Sequence, residues 1–218
     1  MSVDRIAELI QTFTVYVIPV LFGITVHEVA HGWMARQFGD RTAEMLGRLT
    51  LNPVKHIDPV GTVIVPLLTL FTGGFLFGWA KPVPINPRNF RQPKRDMVVV
   101  ALAGPGANLL MAVGWALVFK LTGIFAGALG SSIVFFQSMA IIGTFFNCLL
   151  MIFNLMPIPP LDGGRVLRGL VPDWIGYRLD ALERYGLIIV IGLIVLGFLG
   201  PVIYLVRLVT AALGVPPI

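Results

Sequence analysis

The sequence predicts an all-α polytopic membrane protein, from its composition, its long uncharged stretches and the clustering of its basic residues. Of the 218 residues, 56% are hydrophobic and only 12% are charged, which does not suit a soluble surface. Between Asp96 and Asp162 the only charged residue is Lys120. A stretch of that length is stable only in lipid or among other membrane helices. We expect one integral membrane domain over 1–218, with a core over 6–170 and a C-terminal helical segment over 180–215.

The basic residues indicate orientation rather than nucleic-acid binding. The formal net charge is +5, but 13 of the 16 Lys and Arg residues fall in three segments between apolar runs: 36–55, 81–95 and 165–184. Such segments mark the cytoplasmic side of a membrane protein, where they face anionic lipid. We therefore expect a lipid bilayer around the chain, no nucleic-acid partner, and all three segments on the cytoplasmic side.

Four full crossings are predicted. The first runs from Ile10 to Val26 and extends to Ala35, which is long enough as a helix to cross a hydrocarbon core of about 30 Å. Charged residues precede it and no cleavage site follows it, so we expect it to be retained. Met97–Leu121 and Ser132–Met156 form an out-and-back pair. The last run, Leu187–Val215, is interrupted at Gly200-Pro201, and either one bent crossing or a crossing plus an interfacial helix fits it.

A re-entrant element is predicted between the first two crossings. The apolar run Pro59–Phe71 is short, and a single crossing there would put one of its basic flanks on the wrong face. Its second limb, Phe75–Ile85, is too rich in Gly and Pro for a helix. We expect extended chain that lines a cleft, because free backbone groups are stable at membrane depth only against protein or water.

The first predicted span contains His27-Glu28-Val29-Ala30-His31. Histidines four residues apart lie on one face of a helix, and this spacing is typical of zinc hydrolases, in which the glutamate activates water. In a soluble helix such a string is often a pair of core histidines. Three ionisable groups in five residues of a membrane helix are costly without a function, so we predict a metal site near the basic face.

A catalytic zinc site needs a third protein ligand. The single cysteine, Cys148, excludes a cysteine cluster, and His56 lies in a polar loop. Asp162 ends a nearly uncharged stretch, and a buried carboxylate without a cationic partner is compensated by a metal. A simple helix cap is the alternative role for Asp162.

Two asparagines are further candidates for substrate binding. Asn108 follows Gly104-Pro105-Gly106, where an interhelical hydrogen bond is the alternative role. Asn154 precedes a proline-rich stretch, where its amide can instead satisfy opened backbone.

The motifs HEVAH at 27–31, GPGAN at 104–108 and NLMPIPPLDGG at 154–164 together resemble the site-2 protease family of intramembrane zinc metalloproteases. The resemblance implies one zinc ion per chain, bound by His27, His31 and Asp162, with Glu28 as the catalytic glutamate and Asn154 on the substrate backbone. The segment 74–85 is similar in position to a β-hairpin that presents substrate as an added strand. No stretch suits a PDZ or CBS domain, so a minimal prokaryote-type member of the cell's inner membrane is expected.

The expected function is therefore hydrolysis of peptide bonds within or near transmembrane segments of membrane-protein substrates. The alternative is a non-catalytic zinc-binding scaffold or a zinc transporter. A transporter needs a polar pathway across the bilayer, and the outer half of these helices offers no His, Asp or Glu after Glu8. A scaffold would be expected to lack Glu28 or a ligand. The oligomeric state is not indicated by the sequence.

Overall fold

The computed structural model describes residues 3–65 and 80–218, and every regular element within these ranges is helical. This confirms the predicted fold class. The helices in chain order are α1 (Val3–Gln37), α2 (Thr42–Met45), α3 (Pro93–Ile124), α4 (Ala126–Leu129), α5 (Ile133–Asn154), α6 (Asp162–Leu170), α7 (Asp173–Glu183), α8 (Gly186–Val195) and α9 (Leu199–Ala212). Short 3₁₀ turns cover Pro53–His56, Pro87–Asn89 and Gly130–Ser132, and a π-helix covers Pro59–Ile64.

The three long helices α1, α3 and α5 form the centre of the fold. Each is long and apolar enough to cross a membrane, and each packs against the other two. The close approach of α5 to α3 requires Gly143, because a Cβ there would lie 2.5 Å from the ring of Trp115. α1 and α3 extend a few residues beyond the predicted spans, whereas α5 begins one residue after its predicted span begins and ends two residues before that span ends. At the start of α3, Pro93 occupies the first turn, where its missing N–H is not needed, and Asp96 accepts the N–H of Gln92.

The C-terminal run forms α8 and α9, which meet at 82° and together give a possible fourth span. The predicted interruption at Gly200-Pro201 is wrong. The chain turns instead at residues 196–198, where Gly197 has a φ of +82°. Pro201 lies in the first turn of α9, where a proline is tolerated. α9 packs on α5 through Val202, Val206 and Cys148, so this segment is attached to the central helices.

The basic segment 165–184 lies in two helices, α6 and α7, because Pro172 disfavours helical backbone at Val171. Ion pairs hold both helices to the start of α3. Asp173 lies 3.3 Å from Lys94 and 3.2 Å from Arg168, and Arg168 also contacts Asp180 at 2.9 Å. Lys94, Asp173 and Asp180 are exposed, so each pair contributes little to stability. α6 also packs directly on α3, where a Cβ at Gly169 would lie 2.1 Å from the Val98 side chain.

The predicted re-entrant element falls largely outside the described residues. Its start is the π-helix, whose first N–H groups, from Val60 and Gly61, donate to the side chain of Asp58. Residues 80–86, which we call the extended segment, have no helical structure and pair with no strand in the described ranges. The β-hairpin over 74–85 therefore stays a prediction.

The extended segment is fixed at both ends. Its Lys81 donates its N–H to the carbonyl of His56 at 2.9 Å and accepts from Arg48 at 3.0 Å. At the other end, Asn86 donates its N–H to Asp40 Oδ2 at 2.7 Å. Because Asp40 follows α1 directly, these bonds hold the segment beside the end of α1 that carries the two histidines.

Candidate metal centre and active site

Three of the predicted site residues converge in the structure. His27 and His31 project from α1, and Asp162 projects from the first turn of α6. The two histidine Nε2 atoms are 3.1 Å apart, and Asp162 Oδ2 lies 3.2 Å from each. All three side chains are buried. The capping alternative for Asp162 is not observed, because Leu161 is the N-cap residue and the Asp162 carboxylate faces the imidazoles.

Hydrogen-bond partners determine which nitrogen of each imidazole carries a hydrogen. His31 Nδ1 lies 2.7 Å from the carbonyl oxygen of Val100, and His27 Nδ1 lies 2.5 Å from Asn108 Oδ1. Both oxygens can only accept, so each Nδ1 donates and each neutral imidazole presents a lone pair at Nε2. Asp162 Oδ2 has no hydrogen-bond donor among the described residues. Three electron-pair donors therefore face one point.

This donor set fits a zinc ion. Tetrahedral zinc with nitrogen and oxygen ligands at about 2.0–2.2 Å separates neighbouring ligand atoms by about 3.3–3.5 Å. The observed separations of 3.1–3.2 Å are close to this value. Without a cation, the three electron pairs would repel one another and the buried carboxylate would be uncompensated. Three protein ligands leave a fourth coordination position, as in catalytic rather than structural zinc sites.

Glycines allow the elements of the site to approach one another. A Cβ at Gly104 of α3 would lie 2.7 Å from His27 Cε1 and closer still to the ring of His31, so only glycine fits against the two imidazoles. At the start of α6, a Cβ at Gly163 would overlap the backbone of Leu155 and Met156. The glycines of the LDGG sequence thus let the proline-rich loop fold back and place the neighbouring carboxylate at the site.

Glu28 is half-buried beside the metal-ligand candidates, and its Oε2 accepts the backbone N–H of Val83 at 2.7 Å. Val83 lies between Pro82 and Pro84, so it provides the single N–H of that tripeptide. Its side chain packs on α1, where a Cβ at Gly32 would lie 2.9 Å from Val83 Cγ1. The extended segment therefore holds one carboxylate oxygen of Glu28 in place.

The two asparagine candidates occupy different surroundings. Asn108 is fully buried; its Oδ1 faces His27, and its Nδ2 donates to Asn147 Oδ1 at 3.0 Å and to the carbonyl of Gly23 at 3.3 Å. Asn108 therefore forms interhelical hydrogen bonds, which is the alternative role considered for it in the sequence analysis. Asn154 ends α5, is half-buried, and donates to the carbonyl of Leu150 at 3.0 Å.

The third histidine lies apart from this group. His56 is buried in a 3₁₀ turn, and its Nε2 bonds the carbonyl of Thr50 at 2.9 Å. In the described ranges, the His, Asp and Glu side chains close enough to share a metal are His27, His31 and Asp162.

A cavity of about 710 Å³ borders the site on the side of α6 and α7. Its walls include the extended segment, the Pro159-Pro160 pair and the start of α6. Val83, which bonds Glu28, and Gly164, two residues after Asp162, both line it. The space therefore reaches the residues that adjoin the proposed catalytic groups.

Three contributors to the site were missed from the sequence: the Val83 N–H, the Val100 carbonyl and Asn147. The first two are backbone groups, which carry no side-chain signal. In the sequence, Asn147 stands out only as an amide residue within an apolar run, at least one helical turn away from any motif.

Comparison with known proteins supports these observations. Residues 120–198 match the family described as Peptidase family M50, a range that includes Asn154 and Asp162. A Bacillus subtilis protein named "Putative zinc metalloprotease YwhC" is 39% identical over 180 residues, which are 82% of this chain and 79% of that relative. No solved structure matches the chain.

Mycobacterial relatives named "Putative zinc metalloprotease Rip2" also match. The Mycolicibacterium smegmatis protein is 34% identical over 176 residues, which are 80% of this chain and 64% of that relative. The Mycobacterium tuberculosis protein is 29% identical over 143 residues, which are 66% of this chain and 52% of the relative. With the extent of the Bacillus match, these findings show that the chain is a zinc metalloprotease and belongs to peptidase family M50, the site-2 protease family.

Proposed function

We propose that this chain is an intramembrane endopeptidase that uses one zinc ion, bound by His27, His31 and Asp162, to hydrolyse peptide bonds within or near transmembrane segments. The observation that carries the proposal is the triangle of three electron-pair donors, 3.1–3.2 Å apart, at one end of a membrane-spanning helix. When bound, zinc supplies a Lewis acid that polarises the scissile carbonyl and lowers the pKa of water toward 7.

Glu28 is the proposed general base. The Val83 N–H holds Oε2, so Oε1 is the oxygen that takes a proton from the attacking water. The protonated carboxyl then donates to the leaving amine when the peptide bond breaks. A base held by a hydrogen bond loses less freedom on reaching the reactive geometry, which favours the chemical step.

Substrate access is proposed from the side of the cavity. Peptide hydrolysis needs water and a locally unwound substrate helix, and the cavity, whose walls include Val83 beside Glu28, offers space for both. An extended substrate segment can pair with exposed backbone by strand addition. Asn154 and Asn108 were predicted to bind substrate; Asn154 is the better placed, because Asn108 is fully buried. Suitable substrates are single-span proteins with a destabilised helix, or the remnants of an earlier cleavage.

We propose a location in a prokaryotic inner membrane with the site toward the cytoplasm. The metal-ligand candidates lie near the end of α1 that leads into the basic segment 36–55. That segment is expected on the cytoplasmic side.

The test is to replace Glu28 by Gln and to measure both bound zinc and cleavage of a reporter transmembrane substrate in proteoliposomes. We expect zinc to stay at one ion per chain while the cleavage rate falls by about 10²–10⁴-fold, the usual contribution of a general base. Glu44→Gln is the control, since Glu44 pairs with Arg41 away from the site and should cleave normally. Undiminished turnover in Glu28→Gln would exclude Glu28 as the base. An unchanged protein that binds zinc but cleaves no substrate would favour the scaffold.

A further inference from the structure

Asn147 of α5 is a fully buried polar residue that the proposed mechanism does not use. Its Nδ2 donates to the carbonyl of Gly143 one turn earlier at 2.8 Å, and its Oδ1 accepts from Asn108 Nδ2 at 3.0 Å. Thr144 makes a similar bond to the carbonyl of Ala140 at 2.8 Å. In the described part of the chain, however, Thr144 has no polar contact with another helix. Asn147 therefore connects α5 to the residue that contacts His27.

The direction of these hydrogen bonds is set by backbone carbonyls. The Gly143 carbonyl only accepts, so the amide nitrogen of Asn147 faces it and the amide oxygen faces Asn108. Because Asn147 Oδ1 and the Gly23 carbonyl oxygen both accept hydrogen bonds, the amide nitrogen of Asn108 must face them. The oxygen of Asn108 is thereby directed at His27 Nδ1. Hydrogen bonds therefore connect α5 through α3 to α1, and the donor and the acceptor of each bond are fixed.

We propose that Asn147 is a positioning residue for the metal centre, which holds Asn108 in the orientation that leaves His27 Nε2 available to bind zinc. The inference rests on the zinc site of the proposed function. Without the Asn147 oxygen, the amide nitrogen of Asn108 keeps only the longer 3.3 Å contact to the Gly23 carbonyl, so the amide can turn over. Its NH₂ would then donate to His27 Nδ1, so the ring hydrogen would move to Nε2, the atom required for the metal.

The experiment measures the dissociation constant of zinc for the full-length protein in detergent, by competition with a chelator. Asn147→Leu, which keeps the branched shape of the side chain and removes the amide, should weaken zinc binding by about 10–100-fold, as is usual for groups that orient a metal ligand. Thr144→Val removes a buried hydroxyl from the same helix and should stay within about threefold of the unchanged protein. Asn147→Asp, protonated at this buried position, can donate to Gly143 and accept from Asn108, and should restore most of the affinity.

Two results would overturn the inference. One is an Asn147→Leu protein that binds zinc as tightly as Thr144→Val. The other is a ¹⁵N NMR spectrum of the metal-free unchanged protein in which His27 carries its hydrogen on Nε2. If Asn147→Leu does not fold, as judged by helicity and monodispersity, Asn147→Ala removes the same oxygen without adding volume and gives the same comparison.

A His27→Ala variant separates this inference from the function on which it rests. If His27→Ala binds zinc normally, the proposed zinc site is wrong, and the role proposed for Asn147 is wrong as well. If His27→Ala loses zinc while Asn147→Leu keeps full affinity, the zinc site stands and only the positioning role is wrong.

Discussion

At the scale of single residues, the candidate site combines ionisable side chains, which would bind the metal and activate water, with neutral groups that orient them. His27, Glu28 and His31 are ionisable groups in an apolar helix, and Asp162 ends a nearly uncharged stretch. Burial of such groups is costly without a partner, so sequence alone marks them. The groups that orient them are different, because a neutral amide such as Asn147 is unremarkable in a membrane helix until its partners are known.

Gly104 provides a test of how tightly the two imidazoles are packed. Gly104→Ala would place a methyl group against both rings, 2.7 Å from His27 Cε1, and the rings must move to accept it. Because alanine favours helix more than glycine does, the fold should be retained while the zinc affinity falls by at least about tenfold. The measurement is again chelator competition, with cleavage as a second readout.

Gly106→Ala is the matched control for that change. It lies two residues later in α3, and no atom lies within 4 Å of a Cβ placed there. We expect unchanged zinc affinity in this variant. Equal affinities for Gly104→Ala and Gly106→Ala would show that the imidazoles are not confined as the structure indicates.

At the scale of elements, the long helices were predictable because an uncharged run of sufficient length has few alternatives to a span. Their breaks were harder to place. From composition, Gly200-Pro201 is a stronger helix-breaking signal than Gly197 alone. Proline is nevertheless compatible with the first turn of a helix, and the chain turns at Gly197 instead. Pro172 marks the point at which the basic segment 165–184 divides into α6 and α7, because proline disfavours helical backbone in the residue before it.

The extended segment depends on Asp40, and this dependence predicts how stability changes with pH. Burial raises the pKa of Asp40, but hydrogen bonds from Thr42, Asn86 and Asn89 outweigh it and hold the pKa below its ordinary value. A carboxylate with a lowered folded-state pKa stabilises the fold above its unfolded pKa of about 3.9 and loses that contribution as the pH falls through the folded value. The contribution should therefore be complete at pH 6 and decline below about pH 4.

Asp40→Asn tests this expectation. The amide replaces one acceptor oxygen by a donor, which leaves a hydrogen-bond donor such as the Asn86 N–H unsatisfied. We expect a loss of about 1–3 kcal/mol at pH 6, seen as a lower thermal midpoint in detergent, and a smaller difference from the unchanged protein below pH 4. Glu183→Gln, which removes an exposed pair to Arg165, should change the midpoint little at either pH. A difference for Asp40→Asn that is the same at pH 3 and pH 6 would contradict the assignment.

At the scale of the whole molecule, the three basic segments lie at one end of the helix bundle. Arg48 donates to the carbonyl of Lys81, which joins segment 36–55 to segment 81–95. Lys94 contacts Asp173, which joins segment 81–95 to segment 165–184. The metal-ligand candidates lie at this same end, whereas the turn around α4, between α3 and α5, lies at the other. The loop charges identified from sequence thus agree with an arrangement in which all three segments face one side.

The placement of that end at the cytoplasm is tested by labelling introduced cysteines. Cys148 is fully buried and gives little background, so Leu51→Cys and Gly127→Cys each provide one exposed thiol, at opposite ends of the bundle. In inverted inner-membrane vesicles, a membrane-impermeant maleimide should label Leu51→Cys and not Gly127→Cys, and right-side-out vesicles should give the reverse. The unchanged protein controls for Cys148. If Leu51→Cys is labelled only in right-side-out vesicles, the metal centre faces away from the cytoplasm, and substrates must then be cut near the opposite leaflet.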